Sequence, residues 1–127
     1  MTPDALRRLA LSLPEARELP HHERTSFRVG EKIFATMTRD GSEAMVKVAD
    51  PDELEMLLAA HPEVFFSYGT WTTRLGALGV HLGRAPLALL RPLLRASWEG
   101  IAPQRARAAK VAKKKPQRAR RPGRRRS

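Results

Sequence analysis

The chain has 127 residues, of which 42% are apolar and 29% charged, and a formal net charge of +11; that is room for one domain with its own core and a strongly cationic balance. With no cysteine it can form no disulfide, thiolate nucleophile or cysteine-ligated metal site, in keeping with a reducing compartment. Met1-Thr2-Pro3-Asp4 lacks the basic start and apolar run of a signal peptide, and no apolar stretch is long enough for a bilayer. The expected location is therefore cytoplasmic, with no integral membrane association.

Thr2-Pro3 predicts an N-cap followed by proline at the first helical position. Leu6, Leu9, Ala10 and Leu13 then mark one face of a first helix that ends near Pro14. A short strand is expected around Arg17–His21. Thr25, Phe27 and Val29 alternate with Arg24, Ser26 and Arg28, the period of a strand. Gly30-Glu31 suits a two-residue turn with glycine first, leading into a strand over Lys32–Thr38. A loop at Arg39–Glu43 precedes a third strand of this group at Ala44–Ala49. Asp50-Pro51-Asp52-Glu53 starts a second helix, with Leu54, Leu57, Leu58 and His61 on one face and Pro62 as its stop. Val64–Tyr68 and Leu78–Leu82 read as further strands, one of them extended by Trp71–Leu75. Leu87, Leu90, Leu94, Trp98 and Ile101 give the apolar face of a last helix. Pro92 there implies either a start near Ala88 or a kink. The fold class expected for residues 1–103 is α+β: an antiparallel sheet of five to six strands against three helices.

The Gly30-Glu31 turn sets a register in which Val29 faces Lys32, Phe27 faces Phe34 and Thr25 faces Thr36. Phe27, Val29 and Phe34, joined by Val46 and Val48, then form the core face. Thr38 is set opposite Ala44 on the core side, and the reverse face carries Arg24, Ser26, Arg28, Ile33, Ala35, Met37, Met45 and Lys47. That face is basic and lacks acids and exposed aromatics. It suits contact with a duplex backbone better than base stacking.

The charge is divided unevenly. Residues 1–103 hold 12 Lys+Arg against 13 Asp+Glu, leaving −1, whereas residues 104–127 hold 12 Lys+Arg and no acid, leaving +12. From Pro103 onward only Ala, Arg, Lys, Pro, Gln, Gly, Val and one Ser occur. Nothing there offsets the entropy of ordering, so residues 104–127 are expected to form a disordered C-terminal tail. Its cations are Arg105, Arg107, Lys110, Lys113, Lys114, Lys115, Arg118, Arg120, Arg121, Arg124, Arg125 and Arg126. Clusters of this kind neutralise phosphates and release counterions, which gives affinity without sequence choice.

Patterns for chemistry are missing. There is no nucleophile elbow, no Walker-type phosphate loop and no H-E-x-x-H, and Gly76, Gly79 and Gly83 do not fit a dinucleotide loop. No catalytic residue, cofactor or enzymatic activity is expected. His21-His22, near Glu18 and Glu23, would project to opposite faces of a strand and make a poor chelating pair, so no metal site is assigned. Trp98 reads as core. Tyr68 and Trp71 read as packing residues at a strand or loop edge, with base stacking as the alternative.

Three stretches in order resemble the MmcQ/YjbR family: Leu11-Ser12-Leu13-Pro14-Glu15-Ala16, then Phe27-Arg28-Val29-Gly30-Glu31-Lys32-Ile33-Phe34-Ala35-Thr36, then Ser97-Trp98-Glu99-Gly100-Ile101-Ala102-Pro103-Gln104-Arg105. The resemblance implies a CyaY-like α+β fold with a double-wing arrangement, and DNA binding through the wings by Arg28, Lys32 and Lys47. Glu31 departs from the family's glycine before the lysine and Gln104 from its lysine. The long basic tail is an addition.

The expected function is thus non-enzymatic, non-specific duplex DNA binding. The tail supplies affinity, the domain assists through Arg24, Arg28, Lys32 and Lys47, and the expected state is a nucleoid-associated monomer. The competing expectation is a protein-interaction or small-ligand module whose tail only localises it to nucleoid, ribosome or membrane surface.

Overall fold

Thr2 caps the first helix: its Oγ1 accepts the Ala5 N–H at 3.1 Å, ahead of proline in the first turn. This helix, α1 (Pro3–Leu11), opens a computed structural model that describes residues 1–102. After it come β1 (Ala16–His21), β2 (Arg24–Val29), β3 (Lys32–Thr38), β4 (Glu43–Lys47), α2 (Pro51–Ala60), β5 (Phe65–Ser67), α3 (Thr70–Leu75), β6 (Ala77–His81) and α4 (Leu87–Ile101). The expectations for residues 104–127 lie outside the described residues.

The six strands form one antiparallel sheet in the order β1-β2-β3-β4-β6-β5. Helices α1 and α4 lie against one face. There Leu6, Ala10, Leu90, Leu94 and Trp98 share a core with Phe27, Val29, Phe34, Val46 and Val80. Asp50 caps α2 by accepting the Asp52 N–H at 2.9 Å, and Leu54 carries that helix into the same core.

The hairpin register departs from expectation at one point. Val29 faces Lys32 and Arg28 faces Ile33, but Phe27 then faces Ala35 and Thr25 faces Met37. Phe34 is the extra residue of a β-bulge. Phe34 and Ala35 are both fully buried, and everything after them shifts by one. Ala35 and Met37, expected on the open face, therefore belong to the core, while Thr36 moves to the opposite face, where it too is buried. Met37, not Thr38, faces Ala44. A bulged residue leaves the ladder, and the carbonyl of Phe34 is met instead by the buried Ser97 hydroxyl of α4 at 2.6 Å.

Other corrections are local. Trp71–Leu75 extends no strand; it lies in the short helix α3, so the sheet packs with four helices rather than three. Gly76 ends α3 in the left-handed region at φ +71, with Val48 backbone so close that no Cβ fits. β4 begins at Glu43, one residue earlier than expected, because Thr38 Oγ1 accepts the Glu43 N–H and closes the loop. Pro92 sits inside α4 and not in its first turn. Pro92 and Ala88 are both exposed, so the carbonyl that loses its partner stands at the water side.

One charged contact ties α1 to the sheet. Arg7 Nε donates to Glu18 Oε1 at 2.9 Å and its Nη2 to Oε2 at 3.2 Å, while Thr25 Oγ1 donates to Oε2 at 2.7 Å. Burial works to raise the Glu18 pKa, but the bonds from Arg7 and Thr25 and the charge of Arg7 outweigh it and hold the carboxyl below its usual 4.5. A group depressed in the folded state stabilises above its unfolded pKa and loses that contribution as pH falls through the folded one. Replacing Glu18→Gln should cost about 1 kcal/mol at pH 7, the pair being partly exposed. Urea titrations should show that difference shrinking as pH falls below 4.5 and through the lowered folded-state pKa of Glu18, and a cost that does not change with pH would refute the linkage.

Candidate nucleic-acid interface

The face of the sheet opposite the core is built by alternation. On β1 it presents Arg17, Leu19 and His21; on β2 it presents Arg24, Ser26 and Arg28, and the two sets pair directly. Beyond them come Ile33 and Thr36 of β3, Met45 and Lys47 of β4, Gly79 and His81 of β6, and Phe66 of β5. Arg24, Arg28 and Lys47 thus share one face, as expected. Lys32 does not join them: it is exposed at the hairpin tip, in register with the core residue Val29. The face is also not free of acid, since Glu43 of β4 pairs with His81 at its margin.

Aromatic residues are present on this face, against expectation. The Phe66 and Tyr68 rings lie 5.1 Å apart edge to face, and Phe66 and His81 lie 4.5 Å apart. Gly79 makes this possible: a Cβ there would collide with the Phe66 ring. Thr72, buried in α3, accepts the Tyr68 N–H at 2.6 Å and donates to the Ala77 carbonyl, fixing the turn that carries Tyr68 and Trp71. Trp71 is 66% exposed, so the packing role expected of it is not its role here.

Arg24 links the cations to the rings. Its Nη1 donates to Thr36 Oγ1 at 3.2 Å, its Nη2 donates to the Tyr68 hydroxyl at 3.4 Å, and its guanidinium carbon stands 5.8 Å from the Tyr68 ring centroid. Arg28 Nε donates to Ser26 Oγ at 2.8 Å, and Ser26 in turn donates to the Leu19 carbonyl. His21, Arg24, Thr36, Met45, Tyr68, Trp71 and Ala77 enclose a hollow of about 140 Å³. Burial, then the charges of His22, Arg28 and Arg24, hold the His21 imidazole below its usual pKa. The three charges mark a positive field on this side of the sheet.

The histidine pair is arranged differently from a simple strand. His22 has φ +56 and leaves the strand, so its ring meets that of His21 edge-on at 4.6 Å instead of pointing away. Among the described residues no three His, Cys, Asp or Glu gather to hold a metal ion. No helix among them is long and apolar enough to cross a membrane.

A family model described as YjbR matches residues 11–100. The chain belongs to the YjbR family. Among solved structures, this YjbR domain is similar to the Deinococcus radiodurans protein DR2400, whose domain is described as DUF419. The two are 28% identical with a TM-score of 0.69, over 85% of this chain and 86% of that one. No curated protein matches. The YjbR match takes in β1 to β6 and most of α4, so it covers the basic and aromatic face, but it stops before the cationic segment 104–127.

The signal for the aromatic half of the site was in the sequence. Phe66 of β5 and Tyr68 just past its end share a parity, and Gly79 stands opposite Phe66. Pairing β5 with β6 would have revealed the ring platform. That pairing is fixed only by tertiary packing, because α3 intervenes between the two strands.

Proposed function

We propose that this protein is a non-enzymatic, non-specific nucleic-acid-binding protein with duplex DNA as its expected target. Residues 104–127 supply most of the affinity, and the open sheet face orients the complex. One observation carries this: the +12 of residues 104–127 stands beside a domain that sums to −1, yet that domain gathers Arg17, Arg24, Arg28 and Lys47 on one face of its sheet. Such cations contact phosphate without reading bases. A reaction is not part of this reading.

A salt titration of the full chain on a 20-base-pair duplex tests it. With six or more phosphates neutralised, affinity should fall with a log–log slope of about −5 or steeper. A slope near zero, or no binding at low salt, would count against the reading.

A further inference from the structure

We infer that the open face of the sheet binds unpaired nucleic acid, taking a base into the hollow lined by Tyr68 and Trp71 while phosphates run along Arg24, Arg28 and Lys47. This rests on the nucleic-acid reading above and assigns the folded domain a preferred strand state.

One exposed tryptophan decides nothing by itself. What decides is its surroundings. Trp71 borders a hollow of about 140 Å³ whose other walls are Tyr68, Met45 and Ala77, with Thr36, Arg24 and His21 as its polar groups. That combination of ring, apolar floor and few polar groups fits a flat heterocycle. Arg24 approaches the same Tyr68 ring, an arrangement in which a stacked base and its phosphate are met by adjacent groups.

The charges around the hollow suit a polyanion. Arg17, Arg24 and Arg28 stand on neighbouring strands, and Lys47 pairs with Ala77, part of the hollow's wall. Among the strand residues of this face Glu43 alone opposes them, and it lies at the His81 margin. The protein's own cationic segment is thus an unsuitable occupant. A duplex can lie along these cations by its backbone, but it does not fill the hollow, because its bases are stacked on each other and present edges, not faces. An unpaired strand offers both the anion and the open ring.

The rings are held in place before any ligand arrives. Thr72 fixes the Tyr68 amide, and Gly79 lets Phe66 lie on the sheet beside Tyr68. Trp71 is therefore presented from a fixed turn.

The test uses the full chain and a 12-nucleotide oligodeoxythymidine, a duplex of equal charge and poly-glutamate, each at about 300 mM salt, where electrostatic binding is weakened. Trp98 is fully buried, so a change in tryptophan emission reports Trp71. The single strand should quench Trp71, and neither the duplex nor poly-glutamate should do so. Tyr68→Ala and Trp71→Ala should each weaken single-strand binding roughly tenfold and lower duplex binding at low salt far less. A chain that binds both strand states equally, with Trp71 emission unmoved and both variants neutral, overturns the stacking site while duplex binding stands. Quenching by poly-glutamate as strong as by the oligonucleotide reassigns the face to an acidic polypeptide. A chain that binds no nucleic acid at low salt overturns both readings.

Discussion

Deleting residues 104–127 is expected to weaken duplex DNA binding at least a hundredfold at about 100 mM salt, and to flatten its salt dependence. The reasoning starts from counterions. Each neutralised phosphate contributes about −0.9 to the log–log slope on duplex DNA. The deleted segment carries twelve cations and no acid, and engagement of six to ten of them gives a slope of about −5 to −9. The remaining chain sums to −1, so its long-range field no longer draws a polyanion in. What is left is the local cluster of Arg17, Arg24, Arg28 and Lys47, enough for a slope of about −2 to −4. Fluorescence anisotropy across a salt series on both chains reads both quantities. Equal affinity and slope in the two chains would place the affinity in the folded domain and remove the role given to residues 104–127.

Much of the fold was legible because short-range chemistry settles it. Thr2 and Asp50 are the expected caps, their side-chain oxygens accepting first-turn amides, and Gly30, at φ +62, makes the turn that its place between two alternating runs implies. The failures share a different cause. The bulge at Phe34 arises because α4 supplies both an apolar surface that admits two adjacent buried residues and a hydroxyl, Ser97, for the displaced carbonyl. A close look at the pattern would have hinted at it. Ala35 and Met37 are apolar while Thr36 and Thr38 are polar, which points the first pair inward, whereas Phe34 also demands burial. Both can hold only if one residue is extra. Trp71–Leu75 carries two β-branched threonines and an aromatic, a strand-like composition. It is helical because Gly76 and the buried Thr72 set its ends by contacts with Val48, just past β4, and with Ala77 of β6, which no local rule contains.

The candidate site followed the same division. That Arg24, Arg28 and Lys47 share a face was legible because parity along a strand is a local property. Lys32 lies off the face for the same reason, since it shares the register of Val29. Phe66 and His81 come from strands brought beside β4 only by the full sheet order, and Tyr68 follows β5, so its meeting with Arg24 depends on tertiary structure alone.

Replacing Trp98→Ala should destabilise the domain by about 3–5 kcal/mol, a large share of the ~5–15 kcal/mol that holds a domain folded. Trp98 is completely buried in α4, and its indole N–H donates to the Pro14 carbonyl at 2.9 Å, joining the last helix to the exit of the first. Alanine would leave a cavity in the core and deprive the Pro14 carbonyl of its donor at once. Trp98→Phe separates these effects: it retains most of the ring volume but not the donor, and should cost about 1–2 kcal/mol. Urea unfolding of the three proteins gives the two differences directly. A cost below about 1 kcal/mol for alanine would mean that α4 can collapse onto the sheet without its largest side chain. The placement of Ser97 against Phe34 would then have to be carried by the hydrogen bond alone, although the bulge that needs this bond is itself held by the core that Trp98 fills.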